Sequence, residues 1–257
     1  MAKQRDNNYL KVVAKTFAVI EALGQKRDGV GLSNLSRMVK QPKATVFRIL
    51  YTLSQLGYVE QNRVSGTYQL SSKAWWFWKE EVRETIKRVA RPFLGRLLNQ
   101  FEQTVNLGLL DRDRVLYIEV LEGLRSIRMS ATANTYAPLH CTALGKVMLA
   151  FLKPEAAEEV MSKLLLSKLT SKTVTSIPAL RKQLQIVRSR EYAVDDQETE
   201  RGARCVASIV FDSEGTPLAA ISVSGPVTHV SSRRVKEIAH AVIEVCREIS
   251  SQLGHLP

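Results

Sequence analysis

Between Val13 and Leu70 the spacing of apolar residues is broken repeatedly by glycine and proline, and the breaks leave few ways to fold the segment. Val13, Phe17, Ile20 and Leu23 recur at i, i+4, i+7 and i+10, which predicts one helical face. Gly24 can end that helix, Gly29 and Gly31 flank a turn, and Ser33 is placed as an N-cap for a short second helix, Asn34 to about Val39. Gln41-Pro42 interrupts it, because proline suits the start of a helix and not its interior. A third helix is expected from Lys43 to about Leu56, with Val46, Ile49, Leu50 and Leu53 inward and Ala44, Arg48, Tyr51 and Gln55 on the opposite face. Gly57 closes it, and Tyr58 to Gln61 and Thr67 to Leu70 read as two short strands around the turn Asn62 to Gly66.

Helix, short helix, tight turn, longer helix and hairpin is the layout of a winged helix-turn-helix, with the third helix as the reading element. Its exposed side offers Lys43, Ala44, Thr45, Arg48 and Tyr51, and the wing tip offers Arg63. Arginine can hold guanine O6 and N7 together, lysine and threonine can hold phosphates, and alanine permits close approach to a groove edge. The alternatives are ordinary solvated residues or a winged helix used for protein contacts. Charge favours nucleic acid. Residues 1–91 carry 17 Lys or Arg against 7 Asp or Glu, so +10 of the chain's +12 lies in its first third. The run VGLSNLSRMVKQPKATVFRILYTLSQLGYVEQNRVSGTYQL, Val30 to Leu70, resembles the DNA-binding domain of the IclR family, above all in KATVFRILYTL, LGYVE and TYQL.

Ser71 to about Arg91 reads as a linker helix containing Trp75, Trp76, Phe77 and Trp78. Four consecutive aromatics cannot all face one core, so contact with another domain or subunit is expected. Insertion into a membrane surface is the alternative, disfavoured by the mixed charge that follows. From Pro92 onward the patterns alternate: a helix near Phe93 to Phe101, strands at Thr104–Leu110, Val115–Leu121 and Ser126–Ala131, helices over 142–152, 154–166 and 178–191, strands at Cys205–Phe211 and Pro217–Ser224, and a closing helix from Ser231 to Leu253. This is an α+β domain. The expected division is 1–71 winged helix-turn-helix, 72–91 linker helix and 92–257 effector-binding domain.

Two segments of this second half resemble the IclR effector domain: LHCTALGKVMLAFL, Leu139 to Leu152, and REYAVDDQETERGARCVASIVFDSEGTPLAAISVSGP, Arg190 to Pro226, with Asp195, Glu198, Gly202, Cys205, Ser222 and Ser224 at the family's spacing. The resemblance covers most of the chain. It implies a GAF-like effector domain, binding of operator DNA as dimers, and tetramers assembled from them. It also implies an effector site of Ala143, Leu144, Gly145, Asp195, Cys205, Ser222 and Ser224, where relatives hold small organic acids. One departure is Ile209 where the family commonly has proline; isoleucine suits a regular strand and is expected to alter the pocket shape.

The residues support such a site on their own. Ala143 and Gly145 leave space at a helix start whose free amides favour an anionic oxygen. Ser222 and Ser224 share one strand face, and Asp195 either meets the ligand or caps a turn. A carboxylate beside a carboxylate is repelled, which favours a hydroxy or oxo acid over a dicarboxylate. The competing classes are an enzyme using Cys205, or Cys141 with His140, and an architectural DNA binder that needs no ligand. GxSxG, Walker, HExxH and GxGxxG motifs are absent, Cys141, Cys205 and Cys246 have no metal-ligand spacing, and no enzyme activity, metal or cofactor is expected. Met1 to Leu10 has no apolar signal core and no run approaches a membrane span, so the cytoplasm is the expected compartment and no membrane partner is expected.

Overall fold

The computed structural model describes residues 9–24, 29–62 and 65–255, and within its long helix leaves out the side chains of residues 72 and 75–81. The chain divides into two compact units, with the division between Val82 and Arg83.

The first unit holds α1 (Lys11–Gly24), α2 (Leu32–Met38), α3 (Lys43–Gln55), β1 (Val59–Gln61), β2 (Tyr68–Leu70) and the start of α4 (Ser72–Phe101). Val46, Ile49, Leu50 and Leu53 of α3 are buried against Leu35 of α2 and Val19, Ala22 and Leu23 of α1, as the apolar spacing of α3 requires. β1 and β2 pair antiparallel, Val59 opposite Leu70, and a bridge from Val30 to Tyr68 extends the wing by one strand position. Gly57, at φ +77°, ends α3 in the left-handed conformation that only glycine adopts without strain.

Two expectations change here. The buried stripe of α1 is Val19, Ala22 and Leu23, whereas Val13 and Phe17 are exposed together with Tyr9, Leu10 and Val12. An apolar period marks a face that avoids water and says nothing about which body covers it. Helix α2 begins at Leu32 with Gly31 as its N-cap and no side-chain capping bond, so Ser33 is already inside the helix.

The second unit is a six-stranded antiparallel sheet, order β5-β4-β3-β8-β7-β6, with helices on both faces. Its strands are β3 (Thr104–Asp111), β4 (Arg114–Leu121), β5 (Tyr136–Pro138), β6 (Ala193–Asp196), β7 (Ala203–Phe211) and β8 (Pro217–Pro226). One face packs Val105, Leu107, Val206, Ile221 and Val223 against α4 and α8 (Val235–Gln252). The other packs Ala207, Ile209 and Ala220 against α5 (Ala143–Phe151) and α7 (Ile177–Arg190). α6 (Pro154–Ser162) adds Ala157 and Met161 to that second core. It ends four residues before the sequence suggests, and the segment beyond it docks instead: Thr173 Oγ1 donates to Glu198 O at 2.6 Å and Thr170 Oγ1 to Gln197 O at 2.7 Å.

Helix α4 runs unbroken through Pro92, joining the expected linker helix to the expected helix at Phe93–Phe101. Proline inside a helix removes one backbone bond. Ile86, Ala90, Leu94, Leu97 and Phe101 nevertheless form one fully buried stripe, and that packing carries the helix across the break. Ser126–Ala131 is not a strand. β5 takes the edge beside β4 instead, Val115 opposite Ala137, and β6, a strand absent from the sequence reading, pairs with β7. Ile209 pairs with Ala220 inside β7 and is buried, as a residue with a backbone N–H allows. No helix among the described residues is long and apolar enough to cross a membrane.

Candidate functional site

In the first unit, the outward side of α3 carries what the sequence placed there. Lys43, Ala44, Arg48 and Tyr51 are exposed, and Thr45 is half-buried. Pro42 precedes the helix in an extended conformation, and its carbonyl accepts from Val46 N at 3.1 Å. Ser36 Oγ donates to Gln41 O at 2.7 Å and fixes the turn between α2 and α3. The hydroxyl of Thr52 donates to Arg48 O at 2.9 Å, within the helix. Arg63 lies outside the described residues, and the side chains of Trp75 to Trp78 are likewise outside the description.

In the second unit, a cavity of about 240 Å³ opens at the start of α5. Six of the seven expected effector residues line it: Ala143, Leu144, Asp195, Cys205, Ser222 and Ser224. Strand register explains the convergence. Asp195 of β6 pairs with Cys205 of β7, Cys205 with Ser224 of β8, and Ser224 with Thr104 of β3, so four polar residues stand in one row across the sheet. One step along, Ser222 faces Asn106. Alternation sends both rows to the same face while Val105, Val206 and Val223 pack on the other.

Gly145 is not part of the lining. Its amide donates to Thr142 Oγ1 at 3.0 Å, which makes Thr142 the N-cap, and a Cβ at this position would collide with the backbone of Leu139. The glycine is therefore what lets α5 start hard against the preceding loop. That leaves the amides of Ala143 and Leu144, the first two of the helix, with no acceptor available within it. Ile209, the departure from the family pattern, also lies outside the lining.

Among the wall residues not expected from sequence, Asn106, Thr104 and Tyr117 shape the polar surface. Asn106, buried, donates from Nδ2 to Ser222 Oγ and to Ser224 Oγ, each at 3.1 Å, and its Oδ1 has no partner among the described residues. Rotating the amide by half a turn would only exchange which polar group is left over. Thr104 Oγ1 donates to Met129 O at 2.5 Å and accepts from Gly123 N at 3.1 Å, holding the 123–129 segment so that Met129, Ser130 and Ala131 close one side of the cavity. Tyr117 adds a phenol whose pKa burial raises, so it stays protonated. A signal was available: Thr104 and Asn106 alternate with Val105 and Leu107, just as Ser222 and Ser224 alternate with Ile221 and Val223.

Asp195 accepts from Glu198 N at 2.7 Å, Thr199 N at 3.3 Å and the Thr199 hydroxyl, so it organises the turn after β6 while facing the cavity. Burial raises its carboxyl above the ordinary range, opposed by those hydrogen bonds. Burial likewise pushes the thiols of Cys141 and Cys205 up to about 12, and thiols held there are protonated and inert at neutral pH. His140 Nε2 lies 3.1 Å from Ser167 O. Lys146, 2% exposed, pairs with Glu198 and donates to Val194 O at 2.7 Å and Gln183 Oε1 at 3.2 Å, tying α5 to the same turn. The lining holds no Lys, Arg or His side chain. Among the described residues no three His, Cys, Asp or Glu side chains gather as metal ligands.

Comparison with known proteins agrees with both halves. Residues 12–63 match the IclR helix-turn-helix domain, and residues 81–251 match the bacterial transcriptional regulator IclR C-terminal family. The HTH-type transcriptional regulator KdgR of Dickeya chrysanthemi is 34% identical over 254 residues, 98% of this chain and 82% of that protein. The transcriptional repressor IclR of Escherichia coli strain K12 is 29% identical, over 94% of this chain and 89% of that one. The crystal structure of the Thermotoga maritima IclR superposes with a TM-score of 0.65 at 27% identity, covering 96% of this chain and 100% of the other. With a winged helix-turn-helix at one end, a polar cavity under a helix N-terminus at the other, and family matches over both, this chain belongs to the IclR family of bacterial DNA-binding transcription regulators.

Proposed function

We propose that this regulator is a homo-oligomeric repressor that reads an operator through Lys43, Ala44, Thr45, Arg48 and Tyr51, with Arg63 at the wing tip. Its effector is a small monoanionic hydroxy or oxo acid held against Ala143, Leu144, Asp195, Cys205, Ser222 and Ser224. Residues 1–71 form the DNA-binding part, 72–91 the linker and 92–257 the sensing part, all acting in the cytoplasm and without enzymatic turnover.

The observation that carries the effector reading is the polarity of the cavity. Nδ2 of Asn106 donates to both serine hydroxyls, which lie 3.4 Å from each other, so at least one O–H can turn to a ligand oxygen. Two helix-start amides add further donors, and no cationic side chain lines the wall. Such a wall suits one carboxylate accompanied by hydroxyl or carbonyl oxygens. A dianion would stand beside Asp195 and Glu200 with no countercharge.

Self-association is supported by the apolar surface that Val12, Val13 and Phe17 of α1 expose together with Tyr9 and Leu10 just before it, in a chain that carries a single recognition helix. Light scattering of the full chain at micromolar concentration should give a dimer or tetramer; a monomer with and without DNA would overturn this part.

The site itself is tested by thermal shift of the full chain against hydroxy and oxo monocarboxylic acids, followed by operator binding with the acids that stabilise it. Ser222→Ala combined with Ser224→Ala should abolish the ligand response and leave ligand-free DNA binding nearly intact. A double variant that responds like wild type places the effector elsewhere.

A further inference from the structure

Helix α3 carries two stripes of identical spacing. Val46, Ile49, Leu50 and Leu53 are buried. Ala44, Phe47, Arg48 and Tyr51, also at i, i+3, i+4 and i+7, are exposed. Three of the outward four have a polar or small side chain whose use at a DNA surface is evident. Phe47 does not. It is 48% exposed, and it belongs neither to the buried core of its unit nor to the half-buried residues packed around that core.

A single exposed apolar residue on an ordinary surface needs no account. Phe47 is not on an ordinary surface. It lies between Ala44 and Arg48 in the first half of the helix, the part that meets base edges when a helix-turn-helix docks in the major groove. Of the polar residues around it, Thr45 is half-buried, and the Thr52 hydroxyl bonds back to Arg48 O. A phenyl ring has no hydrogen bond to offer, and the one apolar feature a major-groove edge presents is the C5-methyl group of thymine.

We propose that Phe47 is a specificity-determining residue that reads a thymine methyl beside the base addressed by Arg48. The inference rests on α3 being the recognition helix. It predicts a thymine in each half-site of the operator at a position where no hydrogen bond to a side chain is needed.

The test starts from a pool of random-sequence duplexes, from which the full wild-type chain selects its preferred site. Each thymine of that site is then replaced in turn by deoxyuridine, which removes only the methyl group. One thymine per half-site should show a loss of about fourfold in affinity, the worth of one buried methyl-sized group. Phe47→Ala should bind the unsubstituted site more weakly and should no longer distinguish thymine from deoxyuridine there. Phe47→Leu, which keeps an apolar contact, should retain part of the difference, and Arg48→Ala should retain it while losing affinity for every version of the site. Thermal melts of the variants should match wild type, since Phe47 is outside the core. An unchanged thymine preference in Phe47→Ala, or a wild-type chain indifferent to every substitution, overturns the proposal. If Arg48→Ala also binds as tightly and selectively as wild type, or if no site is selected, the recognition-helix reading fails and the role of Phe47 falls with it.

Discussion

Asn106 Nδ2 stands 3.1 Å from Ser224 Oγ, joining β3 to β8 by a side-chain bond on the face that lines the cavity. The same nitrogen serves Ser222, so one amide is shared by both hydroxyls, which lie 3.4 Å from each other. Removing it from a buried position leaves two hydroxyls without their shared donor, and an unsatisfied buried polar group costs about 1–3 kcal/mol. Asn106→Ala should lower the free energy of unfolding by about that amount. Combined with Ser224→Ala it should cost less than the two changes separately, by about 0.5–1.5 kcal/mol, because the second change removes a partner already lost. Urea unfolding of the two single variants and the double variant measures this coupling, and simple additivity would show that the bond contributes nothing.

The first unit was largely readable from sequence because its signals are local. Pro42 and Gly57 bracket α3, and the period of Val46, Ile49, Leu50 and Leu53 fixes which side is buried. In α1 the apolar spacing marks a face but not what covers it, for a physical reason. Val13 and Phe17 avoid water as strongly as Val19 does, and period alone cannot separate residues covered by the same domain from residues left for another surface. In the second unit the strand identities of Cys205–Phe211 and Pro217–Ser224 followed from alternation. That these two pair as a hairpin is expected from the turn between them and is what forms; which other strands flank the hairpin is not legible, since register between Thr104 and Ser224 links residues 120 positions apart. That long-range pairing is what brings Asn106 and Thr104 into the cavity. Ser126–Ala131 shows the reverse failure: alternating Ile127 and Met129 suggested a strand, but the segment is held over the cavity by the Thr104 hydroxyl rather than by a ladder.

Lys146 interrupts an otherwise apolar helix, and its ammonium is fully enclosed with Glu198. Removing one member of such a pair strands a buried charge, at about 3–5 kcal/mol. Replacing both by apolar residues of similar size avoids that penalty. Lys146→Met is therefore expected to be destabilised by about that amount at neutral pH, and Lys146→Met with Glu198→Met should recover most of the loss. Because Glu198 lies in the turn that Asp195 organises, the double variant should still show a weakened effector response. Denaturant unfolding separates the outcomes: equal stability of the single and double variants would mean the charge pair is not the dominant contact.

Arg48 is exposed at the centre of the outward stripe of α3, and no acceptor for its guanidinium is present within the described residues of its own unit. Arg48→Ala should leave the melting temperature within the range of ordinary surface substitutions. It should weaken binding to the selected operator by about 1–3 kcal/mol and relax base preference at one position per half-site. A variant that loses affinity equally for all sequences would instead mark Arg48 as a phosphate contact, and the salt dependence of binding would then fall by about one ion per site.

Burial holds the Asp195 carboxyl above its ordinary pKa, and hydrogen bonds from the Thr199 hydroxyl and the Glu198 and Thr199 amides oppose the rise without cancelling it. The unfolded chain thus releases this proton at a lower pH than the folded chain does. Between the two values folding takes up a proton, so the stability Asp195 contributes is complete below the unfolded value and is lost as pH rises through the folded one. Glu198 is shifted in the same direction, by burial first and in part by the Asp195 charge, so replacing Asp195 also relaxes part of the Glu198 shift and adds to the difference in the same sense. Wild type should therefore gain stability relative to Asp195→Asn as the pH is lowered from about 7 toward the ordinary carboxylate range near 4. An anionic effector seated at the start of α5 would raise the Asp195 pKa further, so its binding should take up a proton and tighten on mild acidification in wild type, with a flatter pH dependence in Asp195→Asn. Thermal melts across this range, with and without the stabilising acid, measure both effects. Wild type losing ground to the variant on acidification would mean that Asp195 is held ionised by its hydrogen bonds, and that the effector site tolerates a fixed negative charge beside its ligand.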